Sequence, residues 1–279
     1  MTKAAEIGVI GGSGFYRFLD DCSEVHLDTP YGSPSSAVAL GQIEGRGVAF
    51  IARHGVGHTL APHRINYRAN LWALHELGVS QVIGPCAVGS LRAEVAPGDL
   101  VVCDQLVDRT WGRADTFIEE PVVDHVSFAD PYCADLGSVL ASAGVSTGAK
   151  VHPRGTVVVI QGPRFSTRAE SAWFRAAGWD LVGMTQYPES VLARELGMCY
   201  AGLALVTDYD TGIDGGEAGG AAVTMAAVME VVAANVEAAR LVLSAAIPRL
   251  ATERACGCAS SGVVGGGVGK VEGAIRALP

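Results

Sequence analysis

Seven short runs rich in β-branched residues, at 7–10, 48–52, 81–84, 100–103, 157–160, 181–184 and 202–207, each stop at Gly, Pro or polar residues. Runs of this length and composition predict buried strands. Between them, apolar residues recur at helical spacing over 63–77, 167–177, 188–196 and 223–247, the third opening with Pro188 at a first helical position. Strand alternating with helix through most of the chain predicts an α/β fold with a largely parallel or mixed central sheet. The 279 residues are 49% hydrophobic and 18% charged, enough apolar material for one full core. The expected organisation is one domain at 1–254, followed by a Gly-rich, flexible tail at 255–279.

A formal charge of -9 lacks the basic stripe that a nucleic-acid surface needs, so no nucleic-acid partner is expected. The Ala/Val-rich run at 218–247 is interrupted by Glu230, Asn235, Glu237 and Arg240, which predicts a core-packed helix and no membrane partner. The N-terminal residues carry no cleavage-site pattern, and a cytoplasmic location is expected. Seven cysteines cannot all pair within one chain, and most lie in apolar runs as structural thiols do. Cys256-Gly257-Cys258 is close-spaced, but no second Cys/His pair at zinc spacing accompanies it, so no metal is expected.

The run at 201–207 leads into two carboxylates, Asp208 and Asp210. Two residues apart on an extended segment, they share one side of the chain at a strand's C-terminal end, where open α/β sheets bind ligands. A solvated strand exit is the alternative. Other presumed strand ends carry complementary groups. Gly11-Gly12-Ser13-Gly14 offers either an anion-binding turn or a plain tight turn, without the residues of a P-loop or a dinucleotide fingerprint. Arg53-His54-Gly55 supplies a permanent cation and a second polar group suited to an oxyanion. Ala87-Val88-Gly89 allows close backbone approach. In the segment 161–170, Phe165 offers a stacking face and Ser166 a hydrogen bond, while Thr167 and Glu170 also fit a capping box. Met184-Thr185 adds a thioether and a hydroxyl. His54, His58 and His63 straddle Gly and Pro with no carboxylate beside them, which argues against metal. The aperiodic, aromatic segment 109–132 is long enough to be a functional or interface loop.

Taken with Thr29-Pro30-Tyr31-Gly32-Ser33-Pro34-Ser35 and Asn66-Tyr67-Arg68-Ala69-Asn70, these ordered motifs resemble those of the trimeric purine nucleoside phosphorylase family, in its methylthioadenosine phosphorylase branch, from residue 7 to about 250. The resemblance implies a single domain with a mixed, partly barrel-like central sheet flanked by helices, assembled as a trimer with a hexamer as the alternative. It implies no cofactor: inorganic phosphate is the co-substrate, held by Ser13, Arg53, His54, Cys86, Ala87 and Thr185. Cys86 departs from the pattern, standing where relatives carry Thr or Asn. Phe165, Ser166 and Met184 would hold base and ribose, Asp208 and Asp210 would read the base and serve catalysis, and Met225, Val228 and Met229 would line the pocket for the 5′-substituent. His125 would reach that pocket from the neighbouring subunit.

The implied reaction is phosphorolysis of 5′-methylthioadenosine to adenine and 5-methylthioribose 1-phosphate. A carboxylate accepts from a 6-amino group and repels a 6-oxo group, which favours adenine, and Met225 where plain nucleoside phosphorylases place a His favours an apolar 5′-substituent. The alternatives are a methylthioinosine phosphorylase, an enzyme for other 5′-substituted deoxyadenosines such as 5′-halo ones, and, from another class, a non-catalytic purine-binding protein.

Overall fold

The computed structural model describes residues 4–119, 121, 123–211 and 223–264. Along them the chain forms β1 (Ile7–Gly11), β2 (Cys22–Val25), β3 (Val38–Ile43), β4 (Arg46–Ala52), α1 (Tyr67–Glu76) and β5 (Gln81–Ser90). There follow β6 (Leu100–Val102), β7 (Gln105–Arg109), α2 (Ala134–Ser146), β8 (Val151–His152), β9 (Thr156–Ile160) and α3 (Arg168–Ala176). The last elements are β10 (Leu181–Gly183), α4 (Gln186–Glu195), β11 (Cys199–Tyr209) and α5 (Met225–Ala246).

All the strands join one mixed sheet whose main path is β2-β3-β4-β1-β5-β10-β9-β7, with β11, β6 and β8 branching from β5. β5 is the hinge of this topology. One of its edges runs parallel to β11 along its whole length, while the other pairs with β1 at 81–83 and then with β10 at 89–90. Residues 84–88 therefore lack a strand partner on that second edge. Pro85 lies in this gap, where its missing N–H breaks no ladder on that side. The expected strand at 81–84 is thus too short: it continues through Pro85 to Ser90.

Helices cover both faces, which is why the central strands are apolar throughout. Leu71 and Leu74 of α1 and Leu192 of α4 pack in one buried cluster, and Leu136 and Leu140 of α2 with Val242 and Leu243 of α5 pack in another. α5 is apolar and long enough to cross a membrane by composition, but it packs on β11 and α2, and Asn235 Nδ2 donates to Val206 O at 2.7 Å. It is a core helix.

Local chemistry sets several boundaries. The expected helix at 63–77 is broken at Ile65, and α1 restarts where the Asn66 side chain accepts from Ala69 N–H at 3.2 Å. The capping box expected at Thr167 and Glu170 forms at the start of α3. In α4, Tyr187 is non-helical, so the regular helix does begin at Pro188. Within the expected tail, Val263 and Val264 N–H donate to Glu195 O, and Cys258 is buried. In the same stretch, Cys256 and Cys258 sit beside Cys133 and Cys199, which are remote in sequence. The tail beyond residue 264 and the start of the Ala/Val-rich run at 218–222 lie outside the described residues.

Candidate active site

A cavity of about 360 Å³ opens at the C-terminal ends of β1, β4, β9, β10 and β11 and along the unpaired edge of β5. Ser13, Arg53, His54, Cys86, Ala87, Phe165, Ser166, Met184, Thr185, Asp208, Asp210, Met225 and Val228 all line it. Residues spread over more than two hundred positions thus converge on one space. Two of the expected pocket residues do not reach it within one chain. Met229 is exposed on the surface of α5 and is absent from the lining, one helical turn beyond Met225 on the same face. His125 lines a separate depression with Thr116, Val123 and Glu195.

One end of the cavity is built around a buried ion pair. Arg53 is fully buried, its Nε and Nη2 each 2.7 Å from a Glu189 carboxylate oxygen, and its Nη1 donates to Pro85 O at 2.9 Å. These bonds leave one N–H on each Nη. Burial disfavours the guanidinium charge, but Glu189 overcomes this and holds it firmly protonated. Tyr200 Oη donates to the same carboxylate at 2.7 Å. Gly84 makes room for this assembly, since a Cβ there would lie 2.8 Å from Glu189 Oε1. Gly12 does the same for Arg53, whose Nη1 would be 2.9 Å from an added Cβ.

His54 is buried, and its pKa is pulled down to about 4, chiefly by desolvation. It is neutral at pH 7. Its Nδ1 lies 2.8 Å from Leu60 O, and because a carbonyl only accepts, Nδ1 carries the hydrogen and Nε2 is left as an acceptor. The His58 ring stacks on it with centroids 4.4 Å apart, while His63 sits on a separate turn at Pro62–Arg64. Thr185 is buried at the N-cap of α4 without making a side-chain cap hydrogen bond. Cys86 Sγ accepts from Gln186 Nε2 at 3.0 Å, and burial pushes its thiol up to about 11.

At the other end stand the two carboxylates. β11 does not stop before Asp208, as its sequence suggested, but bulges between Val206 and Asp208 and continues to Tyr209. The bulge resets the alternation so that Asp208 pairs with Gly89 and faces the cavity. Burial pushes Asp208 up to about 6, opposed by a hydrogen bond from Thr207 Oγ1 at 2.7 Å and reinforced by Asp210. Asp210 is also raised by burial, although Ser171 Oγ donates to it. Ser166 lies close enough to Asp210 to help hold its pKa down, yet its buried Oγ has no partner at hydrogen-bond geometry.

The sequence reading missed two residues that hold this site. Glu189 is one of several polar residues of α4, so nothing local in the sequence marks it as the buried partner of Arg53. Arg113, in the aperiodic segment, donates to Met184 O at 2.9 Å, Tyr187 O at 2.6 Å and Gln161 O at 2.9 Å, clamping the turn that carries Met184 and Thr185. Both Nη atoms of Arg164 lie 2.7 Å from Glu170 of the capping box, and the next two residues, Phe165 and Ser166, line the cavity.

A model of the phosphorylase superfamily matches residues 6–248. The chain is 55% identical to an S-methyl-5′-thioadenosine phosphorylase of Mycobacterium tuberculosis, over 90% of this chain and 91% of the relative. It is 53% identical to a purine nucleoside phosphorylase of Streptomyces coelicolor, over 92% of this chain and 94% of the relative. Among solved structures it is similar to the methylthioadenosine phosphorylase from Schistosoma mansoni in complex with adenine. That match has a TM-score of 0.86 and 35% identity, and covers 92% of this chain and 96% of the other.

Proposed function

This chain belongs to the phosphorylase superfamily, and from that premise we propose that it cleaves 5′-methylthioadenosine with inorganic phosphate, yielding adenine and 5-methylthioribose 1-phosphate. The observation that carries the reading is the apposition, in one cavity, of the half-buried Asp208 carboxylate, raised to about 6, and the buried Arg53, whose charge Glu189 balances.

Phosphate sits against Ser13, Thr185, the β5 backbone at Ala87 and the two remaining Arg53 N–H groups. Hydrogen phosphate keeps one O–H, which His54 Nε2 can accept. Since Glu189 balances Arg53, the oxyanion retains most of its charge for the sugar, where positive charge develops as the bond to the base stretches. A phosphate oxygen bonds to C1′, the C1′–N9 bond breaks, and its electron pair leaves with the purine. Asp208 delivers a proton to N7. At a pKa near 6 about a tenth of it is protonated at pH 7, in rapid exchange with water. Phe165 stacks on the base, Ser166 and Asp210 bond its edge, and Met184 packs on the ribose. Met225 and Val228 form the apolar seat of the methylthio group, with Met229 outside it. His125 closes that seat from a neighbouring subunit of a homotrimer, and the protein acts in the cytoplasm.

The test is a comparison of kcat/KM for methylthioadenosine, adenosine, methylthioinosine and inosine at saturating phosphate. The reading expects methylthioadenosine first and the 6-oxo substrates lower by about 10³-fold or more, because an inverted hydrogen-bond edge is left unpaired. Preference for inosine would overturn it.

A further inference from the structure

The Sγ atoms of Cys133, Cys199, Cys256 and Cys258 all lie within 4.8 Å of one another. They come from three places: the N-cap of α2, the first residue of β11, and the stretch after α5. All four are free thiols, and the Cys199 and Cys256 sulfurs are 3.3 Å apart, well beyond a disulfide bond. A zinc ion with four thiolates at about 2.3 Å requires sulfurs about 3.8 Å apart on every edge of a tetrahedron. Two separate disulfides would instead need two tight pairs.

The surroundings favour thiolates. Cys133 occupies the N-cap of a 13-residue helix and caps nothing with its side chain, so its sulfur stands where a helix stabilises negative charge. Arg254 Nη1 lies 3.8 Å from Cys199 Sγ while donating to Gly197 O at 2.7 Å. Three of the four cysteines are buried and the fourth half-buried, which shields the group from exchange.

We infer that Cys133, Cys199, Cys256 and Cys258 form a structural tetrathiolate site for zinc, which fastens residues 255–264 to the body of the domain. Binding exchanges four S–H protons to solvent for four Zn–S bonds, with no change of oxidation state. Cys199 begins β11, nine residues ahead of Asp208 and so about 30 Å along the strand from the cavity. The site therefore serves folding rather than phosphorolysis. It also accounts for the bonds from Val263 and Val264 to Glu195 O, which seat the same stretch on α4.

The experiment is elemental analysis of the full-length protein purified without chelators in a non-thiol reductant, alongside Cys258→Ser and, as a control, Cys22→Ser at an exposed position remote from the cluster. About one zinc per chain is expected in the parent and the control, and less than about a fifth of that in Cys258→Ser. Replacement of zinc by cobalt should give the intense visible bands of tetrahedral thiolate coordination. Chelation should lower the melting temperature and expose the C-terminal stretch to protease while kcat at low temperature stays within about twofold. Reduced protein that takes up neither zinc nor cobalt would overturn the inference. So would a chain isolated under rapid alkylation with a mass four hydrogens lower and no metal, since the cluster would then be two disulfides.

Discussion

Glu189 holds Arg53 through two hydrogen bonds of 2.7 Å, and neither side chain is exposed to solvent. The cavity's principal cation therefore enters the reaction already neutralised, with Tyr200 Oη donating to the same Glu189 oxygen as Arg53 Nη2.

Removing one member of such a pair strands the other. Glu189→Gln keeps the shape but leaves the buried guanidinium uncompensated, and should cost about 3 to 5 kcal/mol of stability. Urea unfolding followed by far-UV circular dichroism measures this directly. A loss below about 1 kcal/mol would mean that water or a neighbouring group replaces the carboxylate.

The raised pKa of Asp208 sets a pH dependence. Because the protonated acid is the donor, kcat/KM for methylthioadenosine should fall as pH rises through about 6. In Asp208→Asn that alkaline limb should vanish along with most of the activity, and the residual activity should tilt toward 6-oxo purines. An unchanged profile in the variant would assign the limb to another group.

The same residue trades stability for activity. The folded state binds the Asp208 proton more tightly than the unfolded chain, with a pKa of about 6 against 3.8, so its cost grows as pH rises from 3.8 and is complete above 6. Asp208→Asn should consequently be more stable than the parent at pH 8, by at most about 3 kcal/mol. Calorimetry at pH 8 and pH 4 should show the gain only at the higher value.

His54 works in the opposite direction. Its imidazole titrates near 6.5 when unfolded and near 4 when folded, so acid protonates the unfolded chain first. The stability it contributes is complete above pH 6.5 and is lost as pH falls through 4, up to about 3 kcal/mol. His54→Asn should flatten the stability profile across that window and raise the KM for phosphate. A profile as steep as the parent's would place the acid sensitivity elsewhere.

On the 5′ side, Met225→His should shift preference from the methylthio group toward a 5′-hydroxyl. Burial of one methyl is worth about 0.8 kcal/mol, roughly a fourfold change in the methylthioadenosine-to-adenosine ratio of kcat/KM, with more from the new hydrogen bond. Met229→His, outside the cavity lining, should leave the ratio unchanged.

Much of this architecture is legible in the sequence because buried parallel strands write themselves as apolar runs, and all seven expected runs fall on strands. α2 escaped because Ala134–Ser146 is largely Ala, Gly and Ser, whose small side chains blur the helical period. β2 escaped as a short exposed edge, and the second half of β5 because Pro85 reads as a terminator until its unpaired edge is known. Asp208 and Asp210 were legible as a pair, whereas the bulge that aims Asp208 depends on register with β5. The partnership of Arg53 with Glu189 spans 136 positions and leaves no local mark. The four-cysteine cluster is similar: only Cys256 and Cys258 are neighbours in sequence, and the fold supplies the other two.

The most direct measurement incubates the purified protein with 5′-methylthioadenosine, with and without inorganic phosphate, and follows adenine release together with the sugar product. The account expects adenine and 5-methylthioribose 1-phosphate in equal amounts, and release only when phosphate is present. Adenine released equally without phosphate, with free methylthioribose as the sugar product, would contradict it, because the groups around Arg53 would then not be holding the nucleophile.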